Sequence, residues 1–126
     1  MTGSILLNLD TEDDREITIG CAGGVDLTGA GSYLIESADD TASSYQLHIS
    51  GLSGGHSGMD IHKGLGNANK LMNRILFELD LKFTLRIHSI DGGGLRNAIP
   101  RESKAVIMLD DDKALSLVTD LSLIHI

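Results

Sequence analysis

From Ser53 to Leu71 the chain carries five glycines, two histidines, one aspartate and two asparagines, and this stretch separates two different periodicities. Ahead of it, Tyr45, Leu47 and Ile49 alternate with Gln46, His48 and Ser50, the two-residue period of a half-buried strand. Behind it, Ala68, Leu71, Met72, Ile75, Leu76 and Leu79 fall at three- and four-residue steps. That spacing predicts one apolar face of a helix over about residues 67–79, with Met72 as a core residue. Glycines gather where a backbone turns through positive φ or passes close to another group. A stretch of this composition is either a flexible surface connection or a loop held for a purpose. His56, between Gly55 and Ser57, is left as an accessible imidazole in it.

With 126 residues the chain is long enough for one compact domain with a modest core. A net charge of -8 and the absence of tryptophan argue against nucleic acid as a partner, since phosphate binding needs a basic face and stacking needs aromatic platforms. The single cysteine, Cys21, excludes an intrachain disulfide framework and fits a reducing compartment. Without a basic neighbour it is expected to be a small buried hydrophobe. No apolar run reaches the roughly 18 to 20 residues that span a bilayer, and residue 1 onward lacks a signal-peptide pattern. These observations predict a soluble, cytoplasmic protein with no membrane partner.

Taken in order, residues 4–9 form a short apolar run expected to be a buried strand, followed by Asp10-Thr11-Glu12-Asp13-Asp14. A carboxylate directly after a buried strand is a rigidly held position for a ligand or catalytic group; equally, an acidic turn can simply solvate a strand end. Ile17 and Ile19 alternate with Thr18 and Gly20, predicting a half-buried strand over 16–21, and residues 33–35 suggest another. Residues 36–44 are polar and turn-like. Further on, Phe83, Leu85 and Ile87 alternate with Thr84, Arg86 and His88, and Asp91-Gly92-Gly93-Gly94 is expected to turn the chain. Pro100, the only proline, keeps Ile99 extended. Residues 105–109 predict a third strand, Asp110 to Asp112 a helix N-terminus, and 114–121 a second helix.

The resulting order from Tyr45 is β-α-β-β-α, an α/β arrangement lacking one strand of a split β-α-β sandwich. A missing last strand leaves a sheet edge open. The chain is therefore expected to be an internal segment of a larger protein, with residues 122–126 doubtful as native sequence.

Among catalytic patterns, no His-Glu-x-x-His, no cysteine pair and no Gly-x-Ser-x-Gly elbow occurs, and no Gly-Lys-Ser/Thr follows the glycines to make a phosphate loop. Asp10, His56, His62 and His88 are the only spread of potential zinc ligands. Asp10 is expected in a different layer from the others, so a self-contained zinc site is not expected, and His62 and His88 are read as ordinary polar-face residues.

Three motifs carry a resemblance to a known family. Gly54-Gly55-His56-Ser57-Gly58, Asp60-Ile61-His62 and Gly64 with Gly66-Asn67-Ala68-Asn69-Lys70-Leu71 resemble the lid-domain signature of the aminoacyl-histidine dipeptidases, di-zinc metallopeptidases of the carboxypeptidase-G-like type. Asp91-Gly92-Gly93 with Leu95-Arg96-Asn97-Ala98-Ile99-Pro100-Arg101-Glu102 resembles the second lid motif of the same family. Leu7-Asn8 with Asp10-Thr11-Glu12, then Gly20-Cys21-Ala22-Gly23-Gly24, is similar to the segment leaving its catalytic domain. Together these motifs cover nearly all the chain up to about residue 121.

The resemblance implies that residues 1–25 end a catalytic domain and that 26–126 form most of a ferredoxin-like lid and dimerisation domain. It implies a metal-dependent dipeptidase that hydrolyses dipeptides such as aminoacyl-histidine by zinc-activated water, works as a homodimer and binds two zinc ions per active site. Asp10 then matches a carboxylate ligand of one zinc ion. His56 matches the lid histidine that hydrogen-bonds the scissile carbonyl oxygen, in its own subunit or across a dimer, and Asn97 matches an asparagine that contacts substrate. The family's remaining metal ligands and its general base have no counterpart in this sequence, so the chain by itself is not expected to hydrolyse anything. Two alternatives stand beside this reading: a non-catalytic ferredoxin-like dimerisation or binding module, and a sibling deacylase or tripeptidase.

Overall fold

In the computed structural model, which describes residues 3–5, 15–17, 19–20, 23–37 and 42–109, the apolar stripe is α1, Ala68–Asp80. Asn67 stands just outside it in extended conformation, and its side-chain oxygen accepts the Lys70 N–H at 3.1 Å. That bond satisfies one of the free donors of the first turn. Ala68, Met72, Leu76 and Leu79 are buried, so Met72 is core, as its place on the stripe requires.

Five strands accompany the helix among the described residues: β1 (Ser43–Ile49), β2 (Gly55–His56), β3 (Leu85–Gly92), β4 (Ala98–Ile99) and β5 (Ser103–Leu109). β1, β5 and β3 form an antiparallel sheet in that order, while β2 and β4 form a separate two-stranded ribbon. β5, in the middle, buries Ser103, Ala105, Ile107 and Leu109 at two-residue spacing. The last three pack with Met72, Leu76 and Leu79 of α1, and Tyr45, Leu47, Ile49 and Leu85 extend the cluster from the flanking strands. Each large apolar side chain so buried contributes roughly 1.5–3 kcal/mol, which makes the α1–β5 contact the main support of this unit. Ser103 is the buried polar residue here, and its hydroxyl donates to the Asp91 carbonyl at 3.3 Å.

Of Phe83, Leu85 and Ile87, the first precedes β3 and the last is 47% exposed; β3 begins at Leu85 and runs on to Gly92, so Asp91 and Gly92 belong to a strand rather than to a turn. They pair with Lys104 and Ser103, and that ladder draws the strand past the sequence's turn signal. A bulge at His88 makes the extension possible: Ile87 faces Ile107, yet Ser89 rather than His88 faces Val106. The extra residue resets the phase, returning Ile90 to the core-side row opposite Ala105. β1 likewise starts earlier than expected, taking in Ser43 and Ser44.

The chain divides into two compact units, Met1–Leu34 and Ile35–Ile126. The strands expected over 16–21 and 33–35 are not formed at any described position. Ile17 and Ile19 are 94% and 100% exposed, and Tyr33, Leu34 and Ile35 are exposed as well. Alternation makes a strand only where a second strand supplies hydrogen bonds and a face to bury against, and none does so among the described residues there. Ser4 and Ile5 are also outside any strand, while the rest of the expected strand over 4–9 lies outside the described residues. So do Asp10, Cys21, Asp110 to Asp112, the second helix expected over 114–121, and residues 122–126.

Candidate functional site

The glycine-rich stretch turns twice through positive φ, at Gly51 and Gly54, and then enters β2. Gly55 pairs with Ile99 and His56 with Ala98, and the Ser57 N–H donates to the Asn97 carbonyl at 2.9 Å. The ribbon thus sets His56 and Asn97, which are 41 positions apart in the sequence numbering, on neighbouring rungs. Ile99 is buried, and the Pro100 carbonyl accepts the Ala68 N–H at 2.8 Å, so the ribbon is fastened to the start of α1. On the other side of Pro100, the Asn69 side-chain N–H donates to the Gly92 carbonyl at 3.4 Å. Gly93 has φ +74, and a Cβ there would come within 2.8 Å of that same amide nitrogen. Both glycine-rich loops are therefore anchored on one helix turn, Asn67 to Asn69.

His56 is exposed, but its ring is oriented by its neighbours. Nδ1 accepts the Gly58 N–H at 3.1 Å and the Met59 N–H at 3.1 Å. A nitrogen that accepts two amide donors carries no proton, so the neutral ring is protonated on Nε2. Nε2–H is then a donor that points away from the turn's own amides. The main chain of His56 is held as well: its N–H donates to Asp60 Oδ2 at 2.7 Å, and its carbonyl accepts the Asp60 N–H at 3.0 Å. Asp60 Oδ1 in turn pairs with Lys63 Nζ at 2.7 Å. The Lys63 ammonium, and after it the His56 amide, hold the Asp60 carboxyl below its ordinary value of 3.8.

Gly55 is required by this arrangement. A Cβ there would lie 2.8 Å from Leu65 Cδ1 and 2.9 Å from Asp60 Oδ2, so the missing side chain is what lets the carboxylate reach the next N–H.

Of the three residues singled out from the sequence, His56 and Asn97 lie one rung apart along the ribbon backbone, and Asp10 lies outside the described residues. His62 and His88 are exposed, His62 in a 3₁₀ turn at Ile61–Lys63 and His88 at the bulge. No three His, Cys, Asp or Glu side chains among the described residues come close enough to hold a metal ion. A cavity of about 400 Å³ lies against α1, lined in part by Ile61, Leu65, Lys70 and Arg74, and neither His56 nor Asn97 opens into it. The site is an exposed pair of polar groups on a fastened ribbon. Asp60 was given no role from the sequence; the signal that could have found it is a carboxylate four residues after the histidine in a glycine-rich turn.

The profile of the peptidase dimerisation domain family matches residues 47–122. The chain is 45% identical over 113 residues to the cytosol non-specific dipeptidase of Escherichia coli (strain K12), which covers 90% of this chain and 23% of that protein. It thus spans about a quarter of the length of that relative. Among solved structures, the aminoacylhistidine dipeptidase from Vibrio alginolyticus matches with a TM-score of 0.65 at 41% identity, over 70% of this chain and 19% of that one. The structure of AtUAH in complex with glyoxylate is similar in fold alone, with a TM-score of 0.51 at 16% identity over 64% of this chain and 21% of that one.

Proposed function

This chain belongs to the peptidase dimerisation domain family, and from that premise we propose that it is the lid and dimerisation segment of a cytoplasmic, metal-dependent dipeptidase. Residues 1–25 are the end of the catalytic domain and 26–126 the lid, of ferredoxin-like β-α-β-β-α design. The order β1-β5-β3 with α1 packed on one face supports that design. The substrate is a dipeptide, such as aminoacyl-histidine, and the whole protein is a homodimer. The likeness to two dipeptidases at 45% and 41% identity supports the substrate class, and the family's name supports the dimer.

The single observation that carries the reading is the state of His56. With Nδ1 capped by two amides, its exposed Nε2–H is a ready donor to the oxygen of a scissile carbonyl, and the resemblance of its motif gives exposed Asn97 the contact with the peptide. As negative charge grows on that oxygen, a fixed donor binds the transition state better than the ground state. The Asn97 amide can both donate to and accept from a peptide group. An exposed ribbon suits a surface that closes over a substrate held elsewhere.

Zinc, with Asp10 as one ligand, rests on the resemblance of the motif around Asp10. The described residues by themselves do not fit a metal ion, since no three donors converge among them. The chemistry assigned to the described residues is that of His56 and Asn97 alone.

His56→Ala in the full-length protein tests the reading. It is expected to lower kcat by about 100- to 1000-fold, as loss of one oxyanion donor does elsewhere. KM should change little and bound metal not at all. Near-wild-type kcat, or metal loss that accounts for the defect, removes His56 from the catalytic residues.

A further inference from the structure

We propose that Asp60 is the positioning residue of His56: its carboxylate, braced by Lys63, keeps the 56–60 turn closed so that the Gly58 and Met59 amides stay on Nδ1 and Nε2–H stays the free donor. The inference rests on the reading of His56 as a carbonyl donor and adds the residue that makes it one.

The geometry is a closed ring. Asp60 grips the His56 main chain from both sides, through its carboxylate on the N–H at 2.7 Å and its own N–H on the carbonyl at 3.0 Å. The two amides aimed at Nδ1 belong to residues inside that ring, Gly58 and Met59. Outside the ring, the Ser57 N–H on the Asn97 carbonyl at 2.9 Å and the Ile61 N–H on the Gly58 carbonyl at 3.4 Å also steady this segment, but neither bond reaches the His56 main chain or its imidazole. A half-turn of the imidazole would set a C–H against both amides, and a proton moved to Nδ1 would set an N–H against them. The closed turn therefore selects one orientation and one tautomer together. Each of these bonds is exposed and weak against water when taken singly. Their joint geometry is what specifies the ring, and the carboxylate is the member that touches both the histidine and the brace, Lys63 Nζ at 2.7 Å. The absence of a side chain at Gly55 answers the same need, because a Cβ would collide with Asp60 Oδ2.

The test is a double-mutant cycle on the full-length protein. Asp60→Ala is expected to lower kcat by about 10- to 100-fold, the scale of a catalytic group misplaced by about 1 Å, with KM within about 3-fold. In the His56→Ala background the same substitution should cost less than about 2-fold more, because a residue that acts through His56 has nothing left to act on. Lys63→Met, which keeps the carboxylate and removes its brace, should show a smaller loss with the same dependence on His56, and it serves if Asp60→Ala does not fold. Imidazole ¹⁵N signals of histidine-labelled protein give an independent readout: His56 should show an unprotonated Nδ1 and a protonated Nε2, and Asp60→Ala should lose that signature. A large His56→Ala loss combined with an Asp60→Ala variant that is silent, or whose loss multiplies with that of His56→Ala, overturns the inference and leaves the donor reading standing. If His56→Ala itself keeps near-wild-type kcat, the donor reading falls, and the positioning role falls with it.

Discussion

At the scale of single residues, the site is defined by which protons are where. His56 has two amides on Nδ1, and Asp60 has the His56 N–H on one oxygen and Lys63 on the other. The Asp60 carboxyl is held below 3.8, so the folded turn favours the charged form. For a depressed carboxylate the linked contribution is complete above the unfolded value and is lost only as pH falls through the folded one. The turn is thus expected to stay closed from neutral pH down to 3.8, and to open below it. Activity assays fall well above that window. Titration of the Asp60 carboxylate itself therefore contributes no pH dependence to the ratio of wild-type to Asp60→Ala kcat over about pH 5 to 9. A ratio that changes in that range would report a group other than the Asp60 carboxylate, which is ionised throughout it. His56 and Asn97 could be found because their motifs resemble a known family's. Asp60 belongs to the same motif, but the motif carries no role for it, since its target is the backbone N–H of His56 rather than another side chain.

At the scale of elements, the core is one helix on one strand. Ile107 in β5 is fully buried against Met72, Leu76 and Leu79, while Ile90 in β3 is 55% exposed on the same side of the sheet. Ile107→Ala should lower stability by about 2–5 kcal/mol, the range for a large-to-small change in a packed core, whereas Ile90→Ala should stay within about 1 kcal/mol. Denaturant midpoints of the two variants check the contrast, and equal losses would mean that the α1–β5 contact is not the main support. α1, β1 and β5 were legible because their periodicities are local and each has an apolar partner in the same unit. The same alternation failed at Ile17 and Ile19, which have no partner strand among the described residues. β3 was legible only in part: the pattern ending at Ile87 is broken by one extra residue, and a bulge is set by pairing with β5 rather than by composition. Pro100 did what its chemistry dictates, since Ile99 before it is extended in β4.

At the scale of the whole molecule, the family and the sheet meet at β3. The family's description as a dimerisation domain points to a surface for a second copy, and an outer strand is one means by which a sheet can offer it. Among the described residues the sheet has two outer strands, β1 and β3. They differ in what their core-side residues do. Tyr45, Leu47 and Ile49 of β1 are half-buried against the core cluster. Ile87 and Ile90 of β3 are on the core side and yet 47% and 55% exposed, so apolar surface continues past the edge. A second β3, antiparallel across a two-fold axis, would cover the isoleucines. The chain is accordingly expected to self-associate through β3. Ile90→Lys places a charge on the core side of that edge, a device that blocks strand addition, and should shift the chain toward monomer. A charge on the other outer strand, at exposed Gln46 on the face of β1 away from the core (Gln46→Lys), should leave association unchanged. Sedimentation of the three proteins at several concentrations decides the matter. A wild-type chain that stays monomeric at every concentration, or a Gln46→Lys variant that dissociates while Ile90→Lys does not, would remove β3 as the dimer edge.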